Sequence, residues 1–218
     1  MELKNVKANF LGDSITEGCG TTDFATKPFH QLIAKKYGMA AARNYGIGGT
    51  RFAKQSKPSA NERWDLDFCA RFSEMDDDAS LIVVFGGTND FGHGDAPIGS
   101  MADRTPDTFY GACHYLMSGL INKYPDARIV FMTPLHRISE ENVVKENGLG
   151  GTKLVTYVNI IKEVAEFYSL PVLDLWSVSG LQPRVDVIKA KYVPDGLHPN
   201  DLGHERMAEV IGAYLAAL

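Results

Sequence analysis

Residues 81–90, Leu81-Ile82-Val83-Val84-Phe85-Gly86-Gly87-Thr88-Asn89-Asp90, decide the fold. Five consecutive apolar residues, rich in β-branched and aromatic types, leave no polar face. A strand covered on one side alternates in polarity, whereas a run apolar on both faces belongs inside a parallel sheet with helices above and below. The glycine pair stops the strand. Thr88, Asn89 and Asp90 then fall just beyond its carboxyl end, where open parallel sheets hold ligands.

The same unit recurs on both sides of this stretch. Val6–Leu11 reads as a strand stopped by Gly12. Pro28–Tyr37 reads as a helix with Phe29, Leu32 and Ile33 on one face, Pro28 in its first turn and Gly38 at its end. Ala42–Tyr45 is a strand running into Gly46-Ile47-Gly48-Gly49, and Glu62–Glu74 is predicted helical through Leu66, Phe68 and Phe72. Thr105–Tyr124 carries a core stripe of Phe109, Cys113, Leu116, Leu120 and Tyr124. Arg128–Met132 is the next strand, followed by a helix over Lys153–Tyr168 and a short strand over Pro171–Asp174. A closing helix, Leu202–Leu218, lines Met207, Val210, Ile211, Tyr214, Leu215 and Leu218 along one side. About five strand–helix alternations predict the α/β class: a three-layer α/β/α sandwich on a mainly parallel, five-stranded sheet. Residues 1–218 are expected to form one domain, since no linker, repeat or low-complexity segment interrupts them. The polar stretches Phe91–Arg104 and Leu135–Gly151 read as long loops without an assigned role.

Composition narrows the function classes. The chain has 218 residues, 44% hydrophobic and 22% charged, with a net charge of −5. That balance argues against a general nucleic-acid binder. Cys19, Cys69 and Cys113 are odd in number and form no C-x-x-C pair, so neither a disulfide framework nor a metal ribbon is expected. No apolar run is long enough for stable membrane insertion. The N-terminal residues lack the apolar core of a signal peptide, and a cytoplasmic location is expected. Self-association through the loop insertions is left open.

The chemistry centres on Gly12-Asp13-Ser14-Ile15-Thr16-Glu17-Gly18. Ser14 with Glu17 three residues on reads as a helix cap or as a nucleophile at a strand end. The sheet arbitrates, because Ser14, Gly48 and Asn89 follow successive strands and open onto one edge. A hydrolytic serine also needs a base and a group to orient it. Asp195 and His198, in Val193-Pro194-Asp195-Gly196-Leu197-His198-Pro199, fit those roles, while Asn200 or Asp201 caps the last helix. His204 lies inside that helix and reads as packing or solvent-facing. His30, His93, His114 and His136 have no carboxylate at a comparable spacing, although His93 is a candidate to line the pocket. Donors for a developing oxyanion are the Ser14 and Gly48 backbone N–H groups and the Asn89 amide. Asp13, Arg51 and His93 are candidate substrate contacts. Asp13 also reads as a brace for the loop or as a favourable charge at the helix N-terminus, and Arg51 reads first as an exposed surface side chain. Asp90 and Thr88 read as supports of the Asn89 loop, Glu17 as structural and Cys19 as incidental.

In this order the blocks resemble those of the SGNH hydrolases, the GDSL esterase/lipase family. Gly12–Gly18 is similar to the nucleophile block, Gly48 to the second-block glycine, Gly86–Asp90 to the asparagine block and Asp195–Pro199 to the acid–base block. The resemblance implies a flavodoxin-like sandwich, a Ser14–His198–Asp195 triad, and an oxyanion hole of Ser14, Gly48 and Asn89. It also implies hydrolysis of a small-molecule ester or thioester through an acyl-serine, with no metal or organic cofactor. Short acyl groups such as acetyl esters of carbohydrates are the first expected substrates. A lysophospholipase or acyl thioesterase is the alternative, with Phe24, Phe52, Phe91 and Ile98 lining an apolar groove. A non-catalytic carbohydrate-binding module of the same fold is the different-class reading. Nucleotide binding is disfavoured, since Gly46–Arg51 lacks the third glycine of a dinucleotide fingerprint and no Walker sequence occurs.

Overall fold

β1 (Lys7–Gly12) leads through a single helical turn, α1 (Ser14–Glu17), and α2 (Phe29–Tyr37) to β2 (Ala41–Gly46), which lies parallel beside it. The chain continues through α3 (Phe68–Arg71), β3 (Leu81–Phe85), α4 (Thr88–Gly92), α5 (Phe109–Lys123), β4 (Arg128–Met132) and α6 (Leu154–Phe167). It ends with β5 (Val172–Leu173), α7 (Leu175–Val178), α8 (Asp186–Tyr192) and α9 (Asp201–Ala217). The computed structural model describes residues 1–146 and 148–218, so Asn147 of the loop at 135–151 lies outside the described residues.

The five strands are all parallel, in the order β2-β1-β3-β4-β5. Alternation along each strand sends side chains to opposite layers. Phe10, Val83, Phe85, Val130 and Met132 join Phe29, Ile33, Met207 and Ile211 of α2 and α9. Leu11, Ile82, Val84, Ile129 and Phe131 join Phe109, Leu116, Ile161 and Val164 of α5 and α6. Leu81–Phe85 is buried along its whole length, which is why it shows no polar alternation. Each such side chain contributes about 1.5–3 kcal/mol by leaving water.

The helix predicted over Glu62–Glu74 is broken into a 3₁₀ turn (Glu62–Asp65), α3 and a second 3₁₀ turn (Phe72–Glu74). Two side chains divide it: Asn61 accepts from Arg63 N at 3.0 Å, and Asp67 accepts from Ala70 N at 2.8 Å. Each caps its own start, and Leu66 between them is exposed. The helix predicted from Thr105 begins at Phe109 because Thr108 caps it, accepting from Gly111 N at 3.0 Å. α4, α7 and α8 are too short to build an apolar stripe and carry no periodic signal.

Candidate active site

The carboxyl ends of β1, β2 and β3 deliver Ser14, Gly48 and Asn89 to one edge of the sheet. Asp13, rather than Ser14, caps α1: its Oδ1 accepts from Ile15 N at 3.0 Å. The Ser14 hydroxyl is therefore not consumed as a cap and turns toward His198. Gly46 permits a close approach, since a β-carbon there would overlap the Glu17 backbone nitrogen. A β-carbon at Gly48 would lie 3.6 Å from that of Ser14, so the β2 loop sits directly beside the serine.

From the other side comes the loop before α9. Gly196 adopts φ 81°, the left-handed region open to glycine, and the loop folds back on itself there. Asp195 Oδ1 accepts from Leu197 N at 2.8 Å and His198 N at 2.7 Å, while its Oδ2 lies 2.7 Å from His198 Nδ1. His198 Nε2 is 3.0 Å from Ser14 Oγ. Burial pushes the Asp195 carboxyl up, but the His198 N–H, the His198 ring and the Leu197 N–H together hold it below the usual range. An ionised Asp195 accepts a hydrogen bond from Nδ1–H and so keeps that proton on Nδ1, which leaves Nε2 as the acceptor for the serine hydroxyl. Asn200 caps α9 through Gly203 N at 3.1 Å and so anchors the loop.

Asn89 donates one of its two amide hydrogens to Thr50 O at 3.0 Å. Asp90 braces the same region, accepting from Phe52 N and Ala53 N at 3.0 Å each. The Gly48 N–H points to a partner that the sequence reading did not foresee. It donates to Glu17 Oε2 at 2.7 Å, and the other Glu17 oxygen is ion-paired with Arg63.

Arg51 is not a surface side chain. It is 2% exposed, and its Nη2 donates to Ser59 Oγ at 2.6 Å, Trp64 O at 3.0 Å and Asp65 Oδ1 at 2.9 Å. His93 lies against Arg51 and packs on Trp64 with ring centroids 4.6 Å apart and the planes tilted by 34°. Burial, then the neighbouring Arg51 charge, depress the His93 pKa to about 4, so it is neutral. Both residues line a cleft of about 320 Å³ beside the Gly48–Gly49 turn. Asp13 is 1% exposed and borders only a void of about 10 Å³, room for one water, which makes it a brace rather than a substrate contact. The four residues considered for an apolar groove do not gather into one: Phe52 and Phe91 are core residues, Ile98 packs against that core, and Phe24 is exposed beside Gly18.

The loop at 135–151 bridges the two halves of the site. Ile138 N donates to Gly196 O at 2.9 Å, while Lys145 Nζ donates to Asp90 O at 2.8 Å and Gly94 O at 2.6 Å. Buried Glu140 gathers His136 Nδ1 at 2.8 Å, Arg137 N at 3.1 Å, Gln182 at 3.2 Å and Arg184 at 3.3 Å. His136 thus does have a carboxylate partner, four residues on, a spacing visible in His136-Arg137-Ile138-Ser139-Glu140.

His204 is wholly buried and packs rather than facing solvent: its Nδ1 accepts from Phe29 N at 3.1 Å. Burial depresses the pKa of both His30 and His204 to about 4 from 6.5. With His93 shifted the same way, the unfolded chain binds three protons between those values that the folded chain excludes, so stability falls as pH falls through the window. Asp13, raised by burial to about 6 from 3.8, opposes this with one proton that only the folded chain holds. Three histidine protons excluded against one carboxyl proton held leave a net loss of stability as pH falls from roughly 6 to 4. Thermal melts across pH 4–7 test the sign; a flat or rising Tm on acidification would contradict it.

Among the described residues no group of three or more His, Cys, Asp or Glu is gathered as a metal site, and no helix is long and apolar enough to cross a membrane. The chain is similar to GDSL lipase Rv0518 of Mycobacterium tuberculosis, 27% identical over 94% of this chain and 80% of that protein. It superposes on a crystal structure of a Lactobacillus plantarum protein with TM-score 0.83 and 28% identity, covering 98% of each chain. An acetyl xylan esterase shares the fold at 19% identity and TM-score 0.59, over 96% of this chain and 100% of that one. The model of the GDSL-like Lipase/Acylhydrolase family matches residues 10–206, from the end of β1 into α9. The chain belongs to that family and is, by class, a carboxylic ester hydrolase.

Proposed function

We propose that the protein hydrolyses short-acyl carboxylic esters through an acyl-enzyme on Ser14, acetylated carbohydrates being the substrate class that fits best. The observation that carries the reading is the relay Ser14 Oγ to His198 Nε2, 3.0 Å, and His198 Nδ1 to Asp195 Oδ2, 2.7 Å. His198 takes the serine proton as Oγ attacks the ester carbonyl, and Asp195 stabilises the imidazolium that results. The oxyanion is met by the Ser14 and Gly48 N–H groups and the Asn89 amide. His198 then protonates the leaving alkoxide, and water repeats the cycle on the acyl-serine. An intact relay argues against the non-catalytic module.

The short-acyl reading is supported by the scattering of Phe24, Phe52, Phe91 and Ile98 and by a cleft of mixed polar and apolar lining beside the Gly48–Gly49 turn. Arg51, Gln55, Ser59, Trp64 and His93 offer that cleft hydrogen-bonding groups and one indole, a combination suited to a hydroxylated ring. Its volume of about 320 Å³ is at the small end for ligand pockets. One observation favours longer chains: Ile138, Val143, Val144 and Leu149 are exposed on the loop at 135–151. A series of p-nitrophenyl esters separates the two readings. We expect kcat/KM to fall at least about tenfold from acetyl to octanoyl, since a methylene without an apolar partner gains little. A rise along the series would favour the lysophospholipase or acyl thioesterase reading. Three free thiols, two of them buried, support a reducing, cytoplasmic setting.

A further inference from the structure

The acceptor that Gly48 holds has the geometry of the species the site is built to stabilise. Glu17 Oε2 lies 2.7 Å from Gly48 N, within the range expected between an oxyanion-hole donor and an oxyanion. A single N–H cannot serve two negative oxygens at full strength, and the two would also repel each other.

The carboxylate reaches this position because Glu17 ends the one-turn helix that Ser14 begins. Its second oxygen is ion-paired with Arg63 Nη2, on the 3₁₀ turn Glu62–Asp65. The next residue, Trp64, packs against the Gly49 backbone so closely that a β-carbon there would overlap the indole. One short turn therefore pins the carboxylate over Gly48 and also walls the adjoining cleft. The pair opens to water, Glu17 with 18% and Arg63 with 52% of its side chain exposed, so it can swing out without unpacking the core.

We propose that Glu17 is a resident occupant of the oxyanion hole: the substrate carbonyl must displace its carboxylate from the Gly48 N–H, and Arg63 holds the displaced charge. Glu17 is then a specificity-determining residue that competes with the substrate for one donor. It selects esters whose other contacts, in the cleft beside Trp64, offset the displacement. The proposal rests on the Ser14 site described above.

Fluorophosphonate inactivation tests it, because the phosphonyl oxygen must enter the hole as Ser14 is modified. Labelling of wild-type Ser14, read by mass spectrometry, tests the site itself, and its absence would overturn the site and this inference together. With labelling present, Glu17→Ala is expected to accelerate inactivation about three- to tenfold and to lower KM for a short ester, as loss of a charge-assisted competitor predicts. Glu17→Gln, whose amide oxygen still accepts but without charge, is expected to give a smaller acceleration. Arg63→Ala leaves the carboxylate uncompensated and is expected to slow inactivation, yet to have no effect in the Glu17→Ala background. Unchanged rates in both Glu17 variants overturn the proposal while leaving the site intact. So does a kcat loss of tenfold or more at unchanged KM, which marks the Glu17–Gly48 bond as scaffolding.

Discussion

Ser14→Ala is expected to lower kcat for a short ester by roughly 10³-fold or more while leaving the melting temperature within about 2 °C of wild type. The two halves of that result have separate causes. Ser14 Oγ lies 3.0 Å from His198 Nε2, and nothing in the hydrogen-bonding of α1 depends on it. Asp13 supplies the cap, and the backbone of Ser14 is unaltered by the change. Stability should therefore hold while the relay loses the group it activates. Residual turnover would come from the oxyanion donors and from His198 acting on water, which in comparable triads still exceeds the uncatalysed rate. Asp195→Asn should fall to a similar level by another route. Its amide would no longer favour a proton on His198 Nδ1, so Nε2 would lose its role as acceptor. A Ser14→Ala variant that retained full turnover would remove Ser14 as the nucleophile, whatever its geometry.

The residues that meet at the site were legible in the sequence because each follows a strand whose type was itself legible. Leu81–Phe85 and Arg128–Met132 declare buried parallel strands, and the carboxyl-end rule then brings Ser14, Gly48 and Asn89 to one edge. Asp195 and His198 are three residues apart in a turn and need no tertiary knowledge to be paired. What escaped was decided by partners distant in sequence. The capping-box reading of Glu17 was local, yet its carboxylate bonds Gly48, 31 residues on, and Arg63, 46 residues on. Arg51 looks like any exposed arginine until Ser59, Trp64 and Asp65 are folded over it. The break in the Glu62–Glu74 helix depends on Asn61 and Asp67 capping separate starts, which apolar periodicity does not register. The role of the loop at 135–151 was invisible for the same reason: its anchors, Asp90, Gly94 and Gly196, belong to other parts of the chain.

Arg71, which carries no sequence signal at all, should be among the most damaging positions to alter. Arg71→Met is expected to destabilise the protein by about 3–5 kcal/mol, lowering Tm by roughly 10 °C in a chain of this size. Arg71 is 8% exposed at the end of α3, beneath the strand ends that carry the site. Its Nη2 donates to Gly12 O at 2.7 Å and Thr50 Oγ1 at 3.1 Å, its Nη1 to Tyr45 O, and its Nε to Leu66 O at 2.9 Å. One guanidinium thus ties the last carbonyl of β1 to the end of β2 and to the loop that follows Gly48. Burial depresses its pKa to about 10, opposed chiefly by the carboxylate of Asp13, so the charge persists. Methionine fills much of the same volume but leaves three carbonyls without that donor, and Asp13 without a neighbouring cation. Gly12 O keeps the Ile47 N–H at 3.1 Å, and an acceptor left wholly unpaired in the interior costs about 1–3 kcal/mol. The site should suffer too, because Gly12 directly precedes Asp13 and Ser14. A displacement of about 1 Å there is enough for a loss near 10²-fold in kcat. Arg71→Lys restores the charge but not the fork, and should recover only part of either loss. Thermal melts and ester turnover on the same preparations decide the matter. An Arg71→Met protein that melts within 2 °C of wild type would show that the strand ends hold their positions without the guanidinium.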